Sequence, residues 1–304
     1  MDFRELSYVL AIAKYQNITK ASEALYVSQP TLSKFLKSLE EELGTPLFRR
    51  LGYKYVLTYA GECYTQKARE ILQLKQDLDV EMADIIKSTC GKLKVAFPTM
   101  RSTYMLPKVL PAFQEQYPNV KIELHEGYSS DLDQMLLDGD AEIAFYSMTA
   151  EIHNPLIDYQ SLGEEEMLIC APKGHPIGAL AVPNPGSRYP QLDLKVLEEE
   201  RMILMNPRQR TRQIIDQHLQ QEDVRLHNVL ETGNMSAIIN LVASGYGLAF
   251  LFESHLSQFD ISRIDRYSFG STRTIAHFVA AHRKGSYLPA YALDFIELVK
   301  NVHS

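Results

Sequence analysis

The sequence predicts a multidomain α+β chain: a small helical head with a β-hairpin, one long helix, and a larger α/β body. Three observations predict it. The first sixty residues carry apolar residues at helical spacing, broken by turn signals. From Thr58 to Lys87 there is no proline, and Gly61 is the only glycine. After Gly91, β-forming runs alternate with helical patterns. A chain of 304 residues is also too long for one ordinary core. Its 45% hydrophobic and 23% charged residues are those of a soluble globular protein. No apolar run is long enough to span a membrane, and the N-terminus lacks the pattern of a secretion signal. The expectation is therefore a cytoplasmic protein without a membrane partner.

In the head, Phe3, Leu6, Val9, Leu10 and Ala13 trace the first helical stripe, which stops near Tyr15-Gln16. Asn17 is suited to cap a second helix, in which Ala21 and Ala24 allow a close helix approach. After a turn at Tyr26-Val27, Ser28 caps a third helix and Pro30 sits in its first turn, where N–H groups lack partners anyway. Leu32, Leu36, Leu39 and Leu43 form its inward face, and Gly44 is its C-terminal stop. Helix, short helix, tight turn, helix is the helix-turn-helix arrangement, whose last helix enters the DNA major groove. The outward, N-terminal face offers Gln29, Pro30, Thr31, Ser33 and Lys34. Gln bonds an adenine edge, Ser donates or accepts, and Lys reaches guanine or phosphate. Glu40-Glu41-Glu42 would repel phosphates, but lies three turns away. Beyond it, Arg49, Arg50 and Lys54 flank a turn at Leu51-Gly52-Tyr53, which reads as a wing whose cations hold phosphates. Charge agrees with this placement. Residues 1–60 carry eight Lys/Arg against six Asp/Glu, whereas the whole chain is at −7.

Ser28-Gln29-Pro30, Leu32-Ser33, Leu39-Glu40, Leu43-Gly44, Leu47-Phe48, Arg50, Leu57-Thr58 and Gly61 together resemble the winged helix-turn-helix of LysR-type transcriptional regulators. The resemblance implies DNA contacts at Gln29, Pro30, Ser33 and Lys34, with Arg50 and the wing nearby. It departs from the family pattern at Ser22, Lys34 and Tyr53, which stand where alanine, arginine and arginine are usual.

In the long helix, Tyr64, Ala68, Ile71, Leu74, Leu78, Met82 and Ile85 recur three or four apart. Such a seam on a helix of roughly 42 Å needs a partner, most simply a second copy of itself. The resemblance implies the same dimerising linker. Two recognition helices about a two-fold axis would read an inverted repeat.

Ser88 to Gly91 reads as a hinge. Strands are expected at Lys92–Pro98, Val120–Gly127, Ala141–Ser147, Met167–Ala171, Arg201–Met205, Leu226–Glu231 and Gly247–Phe252. Helices fall between them at Tyr104–Tyr117, Ser130–Leu137, Arg210–Gln221 and Asn234–Ala243, and a final strand and the Pro289–Val302 helix return to the first sheet. Two lobes joined by crossing strands near Leu162–Glu165 and Ile264–Ser268 resemble the periplasmic-binding-protein-like effector domain of the same family. The expected organisation is a winged helix-turn-helix at 1–58, a linker helix at 59–88 and an effector domain at 91–304. Within the last, lobe I is 91–162 with 268–304, and lobe II is 163–267.

In open α/β sheets ligands sit where strand ends meet helix starts. That rule selects Thr99, Met100, Arg101 and Ser102, then Tyr146 and Ser147, then Asn206 and Arg208, and finally Thr232. Hydroxyls and N–H groups at helix starts suit an anion, and Arg101, Arg208 or Arg210 would add charge. The expected effector is therefore a small anionic metabolite.

Catalytic and metal motifs do not occur. Gly245-Tyr246-Gly247 is too short for a dinucleotide fingerprint, no Walker or zinc-protease signature is present, and the nine His are scattered. Cys63, Cys90 and Cys170 form no pair at disulfide or metal spacing. A solute-binding transport module would need a signal sequence and no DNA-binding head, and a fused enzyme would need a catalytic constellation. The expectation is a non-enzymatic, cofactor-free regulator that binds double-stranded DNA and a small effector. It is expected to act as a homodimer or a homotetramer, and the resemblance makes RNA polymerase a partner to consider.

Overall fold

The structure is a computed structural model that describes residues 2–87, 90–149, 153–270 and 273–303, with side chains throughout these except at 83–90. It divides into two compact units, Met1–Ile86 and Lys87–Ser304. The expected break at Ser88-Thr89 lies outside the described residues, and Cys90 and Gly91 already belong to a strand.

The first unit opens with α1 (Phe3–Tyr15), α2 (Ile18–Ala24) and α3 (Gln29–Leu43). Each start is chemically fixed. Asp2 and Glu5 form a capping box on α1. The Asn17 side chain accepts from Thr19 N and Lys20 N, and that of Ser28 from Thr31 N. Gly44, at φ 67°, ends α3 in the left-handed region. Val9, Ile12, Ala21, Leu32, Leu36, Leu39 and Leu47 meet in one core. Two details differ from the sequence reading. The small pair buried on α2 is Ala21 and Ser22, with Ala24 exposed, because the Ser22 hydroxyl returns to the Thr19 carbonyl and so tolerates burial. Leu43 is 43% exposed, because the helix ends just as its stripe leaves the core.

A hairpin follows, β1 (Phe48–Leu51) antiparallel to β2 (Lys54–Leu57). Glu40 anchors it: its carboxylate accepts from Leu47 N at 2.7 Å and Phe48 N at 3.0 Å. This residue is therefore a clamp on the wing, beyond its expected part in an acidic run that would repel phosphates. Thr58 caps α4 (Tyr59–Lys87) by accepting from Gly61 N, while its hydroxyl donates to the Pro46 carbonyl. A Cβ at position 61 would collide with the Leu47 carbonyl, so the glycine is required by close approach. Early in α4, Ala68 is buried. Further along, Leu74, Leu78 and Met82 are 65%, 57% and 47% exposed on one face.

The second unit contains β3 (Cys90–Pro98), α5 (Thr99–Gln116), β4 (Asn119–Gly127), α6 (Ser129–Asp138) and β5 (Ile143–Met148). Then follow β6 (Ile157–Pro172), β7 (Arg201–Met205), α7 (Arg210–Gln221), β8 (Asn228–Thr232), α8 (Met235–Ala243) and β9 (Leu248–Phe252). The chain ends with α9 (Glu253–Leu256), β10 (Ile264–Tyr267), β11 (Thr274–Arg283) and α10 (Ala290–His303). The strands form one sheet in the order β4-β3-β5-β11-β6-β9-β7-β8, with β10 also on β6. Neighbours β3, β4 and β5 are parallel, as are β7, β8 and β9, so helices must cover both faces. Side-chain alternation shows it: Met167, Ile169 and Ala171 enter one core, while Leu168 and Cys170 enter another.

Two strands cross between lobes. On β6, Leu162 packs in the first lobe's core and Met167 in the second's. On β11, Ala276 belongs to the second core and Phe278 to the first. The second crossing is thus at Ala276–Phe278 and not at Ile264–Ser268. The Ile264–Tyr267 stretch is β10, an antiparallel partner of Ile169–Pro172 that stays inside the second lobe. Its β-forming residues made it look like a crossing strand, whereas a crossing strand packs residues into both cores, as β11 does while pairing with β5 of the first lobe. The β6–β11 ladder shifts register at Phe278/Val279, at the crossing itself, where a bulge re-aims the strands.

Candidate functional sites

On the first unit, Gln29, Pro30, Thr31 and Lys34 are exposed and Ser33 is half-buried, all on the first turns of α3. The Thr31 hydroxyl lies 2.7 Å from that of Ser28, so it belongs to the cap as well as to the surface. Lys34 has no ion pair among the described residues, and Lys37 pairs loosely with Glu41. On the wing, Arg49, Arg50 and Lys54 are exposed. The Arg50 guanidinium lies over the Tyr55 ring at 5.1 Å, which fixes it without consuming its donors. Tyr53, at the hairpin tip, is 94% exposed. These residues form a cationic and polar surface with little internal bonding.

The second unit holds a cavity of about 530 Å³, within the usual range for small-molecule sites. Its lining takes in the first turns of four helices: Thr99 to Arg101 on α5, Tyr128 and Ser129 at α6, Gln209 to Thr211 at α7, and Asn234 to Ser236 at α8. In three of them the cap residue, Pro98, Tyr128 or Gln209, makes no side-chain hydrogen bond to the helix, although at α7 the Ser129 hydroxyl accepts from Arg210 N. Helix starts carry partial positive charge and unpaired donors. Met100, Met205, Met235 and Phe252 supply the apolar wall.

Of the nine sequence-selected residues, Thr99, Met100, Arg101 and Ser147 line this cavity. Five do not. Ser102 lies against the Thr99 carbonyl and Glu126. The Tyr146 hydroxyl donates to Asp133. Asn206 accepts from Arg208 N at 3.0 Å, and Thr232 accepts from Asn234 N at 3.2 Å, so both shape turns that lead into helices. Arg208 is an outer residue whose guanidinium pairs with Asp131 at 2.5 Å over the Tyr128 ring. Gln209, Arg210 and Asn234, one or two residues beyond the selected Arg208 and Thr232, line it instead, as does Ser129 at the start of α6, where the strand-end rule selected nothing.

The arginines differ from the sequence reading in charge as well. Arg101 is 3% exposed and donates to both Glu165 oxygens, at 3.0 and 2.9 Å, and to Ser147 at 2.8 Å. Arg210, 4% exposed, pairs with Asp133 at 2.7 Å. All three arginines are thus paired with carboxylates, and for the buried Arg101 and Arg210 a lone guanidinium would be too costly. Burial opposes the Glu165 charge, but Arg101 outweighs it and holds the carboxyl at about 2. Burial, reinforced by Arg101, pushes His255 down to about 4, so the imidazole stays neutral near pH 7. Cys170 is buried and its thiol is pushed up to about 12, so it is inert as a nucleophile. Among the described residues no helix is long and apolar enough to cross a membrane, and no His, Cys, Asp and Glu cluster is arranged to hold a metal.

Residues 3–62 match the model of the bacterial regulatory helix-turn-helix proteins of the lysR family, and residues 87–304 match the LysR substrate binding domain. The Hca operon transcriptional activator HcaR of Escherichia coli is 28% identical over 303 residues, covering 99% of this chain and 97% of HcaR. The uncharacterised regulator YwbI of Bacillus subtilis is 30% identical over 305 residues, covering 99% of this chain and 96% of YwbI. A full-length OxyR from Pseudomonas aeruginosa has the same fold, with a TM-score of 0.71 at 24% identity, covering 99% of this chain and 94% of that one. Full-length CbnR with its target DNA superposes with a TM-score of 0.58 at 22% identity, covering 99% and 100% of the two chains. HcaR and YwbI are named as transcriptional regulators and not as enzymes. The chain belongs to the LysR family of DNA-binding transcriptional regulators, with an N-terminal helix-turn-helix and a C-terminal effector-binding domain.

Proposed function

We propose that this regulator binds an inverted-repeat operator as a dimer or a dimer of dimers, and that a small anionic effector in the interlobe cleft controls that binding. The convergence of four helix starts on one cavity, those of α5 and α6 without a side-chain cap, carries the anionic reading, because helix starts favour an oxyanion even where Arg101, Arg208 and Arg210 are paired. The apolar wall then favours a carboxylate on a hydrophobic body. Gln29 and Ser33 read bases, Pro30 and Thr31 fit the helix start to the groove, and Lys34, Arg49, Arg50 and Lys54 hold phosphates. The exposed Leu74, Leu78 and Met82 face on α4 supplies the dimer seam. On this reading, 1–58 is the DNA-binding part, 59–88 the linker and 91–304 the sensor, working in the cytoplasm with RNA polymerase as a further contact. Effector binding changes the angle between lobes, and with it the spacing of recognition helices.

Calorimetry of the full-length chain against carboxylates, amines and neutral metabolites tests the ligand class. Carboxylates should bind and amines should not. Binding of neutral or cationic compounds alone would remove the anionic reading.

A further inference from the structure

We propose that the Asp133 carboxylate is an internal stand-in for the effector's carboxylate on Arg210, holding the two lobes together until the effector takes its place. The inference rests on the anionic reading of the cleft.

Arg210 opens α7 in the second lobe, yet its side chain is spent on the first. Nη2 donates to Asp133 Oδ2 at 2.7 Å, and Nε donates to the Ser129 carbonyl at 3.3 Å. The guanidinium lies over the Tyr146 ring at 4.3 Å. Ser129 completes the seam, since its hydroxyl accepts from Arg210 N at 2.8 Å and donates to Gln209 at 3.2 Å.

The fit is incomplete in one respect. Nη1 of Arg210 is buried without a hydrogen-bond partner among the described residues. A guanidinium presents a fork that matches both oxygens of a carboxylate. Asp133 uses only Oδ2 on that fork, because its Oδ1 is held by the Tyr146 hydroxyl. Asp133 is thus a one-oxygen occupant of a two-oxygen receptor. A free carboxylate meeting the same side chain can engage Nη1 and Nη2 together, which is the stronger geometry. Arg210 lines the cavity, while Asp133 lies outside that lining with its side chain 19% exposed; Nη1 is closed to solvent, so exchange requires α6 and α7 to part. The neighbouring Arg208–Asp131 pair also links the lobes. Its partners are 59% and 36% exposed, however, and such pairs contribute little. The inner pair is the one whose exchange matters.

The ligand class is a small carboxylate with its head in the α6–α7 seam and its body toward the methionines. Thermal unfolding of the full-length chain tests this, with sodium formate and acetate as probes and sodium chloride at matched ionic strength. Asp133→Ala should unfold at a lower temperature than wild type. Formate should restore it with a half-effect at about tenfold lower concentration than any effect on wild type. Asp133→Asn, which keeps the shape, should show a smaller restoration and guards against a misfolded alanine variant. Adding Arg210→Gln to either variant should remove the response. Equal stabilisation of wild type and both variants would overturn the stand-in while leaving the cleft an anion site. No carboxylate response in either variant would overturn the stand-in too, and calorimetry with larger carboxylates would then decide the cleft's ligand class separately.

Discussion

The outward face of α3 and the interlobe cleft treat their polar side chains in opposite ways. Gln29 and Lys34 are exposed, and Lys34 has no ion pair among the described residues. Arg101 and Arg210, by contrast, are each nearly fully buried and tied to a carboxylate from elsewhere in the unit. A polyanion of uniform charge can be met by side chains left in water, since its contacts form on arrival. A small ligand in a closed cleft needs its receptor groups pre-positioned, and buried charges can only be held in place by counter-charges.

That contrast makes the variants behave differently, and the largest effect belongs to the buried side. Glu165→Ala leaves Arg101 buried without its bidentate partner, and should cost about 3–5 kcal/mol in chemical unfolding. If the loss stayed below about 1 kcal/mol, the pair would not be what holds the cleft floor. Next comes pH. The folded pKa of His255 lies below its ordinary 6.5, at about 4. Its contribution is therefore present above pH 6.5 and lost as pH falls from 6.5 toward 4. The loss is on the order of 3 kcal/mol. Glu165, at about 2 against 4.5, adds a second loss only below pH 4.5. Unfolding midpoints measured from pH 7 to 4 should fall for wild type and fall less for His255→Gln; matching slopes would contradict the assignment.

Variants on α3 should leave stability alone. Gln29→Ala and Ser33→Ala should each cost about 1–3 kcal/mol in specific DNA binding, together enough to erase it, with unchanged unfolding. Lys34→Ala should have the smallest effect, a weakening across all sequences and a salt slope reduced by about 1. A loss confined to one operator sequence would instead make Lys34 a base reader.

The same contrast explains what the sequence could disclose. Ser28, Pro30, Gly44 and the leucines of α3 announce a helix by local chemistry, and the DNA face follows from the periodicity that remains. Glu40 was hidden because a hydrogen bond to Leu47 and Phe48 leaves no mark in a run of three glutamates. In the second unit the strand-end rule found the cavity's neighbourhood, because strand and helix starts are local signals. It stopped at Arg208, just short of Gln209 and Arg210 at α7, selected nothing at α6, and could not find Glu165 or Asp133. Those partners lie 64 and 77 residues from their arginines, and no spacing rule reaches across lobes. The crossing at Ala276–Phe278 was missed similarly, since composition alone does not say which strand pairs with β5.

Selection of bound duplexes from a randomised pool, with wild type and Gln29→Ala compared, tests the central claim most directly. The account predicts that wild type enriches an inverted repeat of two half-sites and that Gln29→Ala binds DNA without enriching it. Enrichment of a single unrepeated site, or an unchanged repeat with Gln29→Ala, would contradict it.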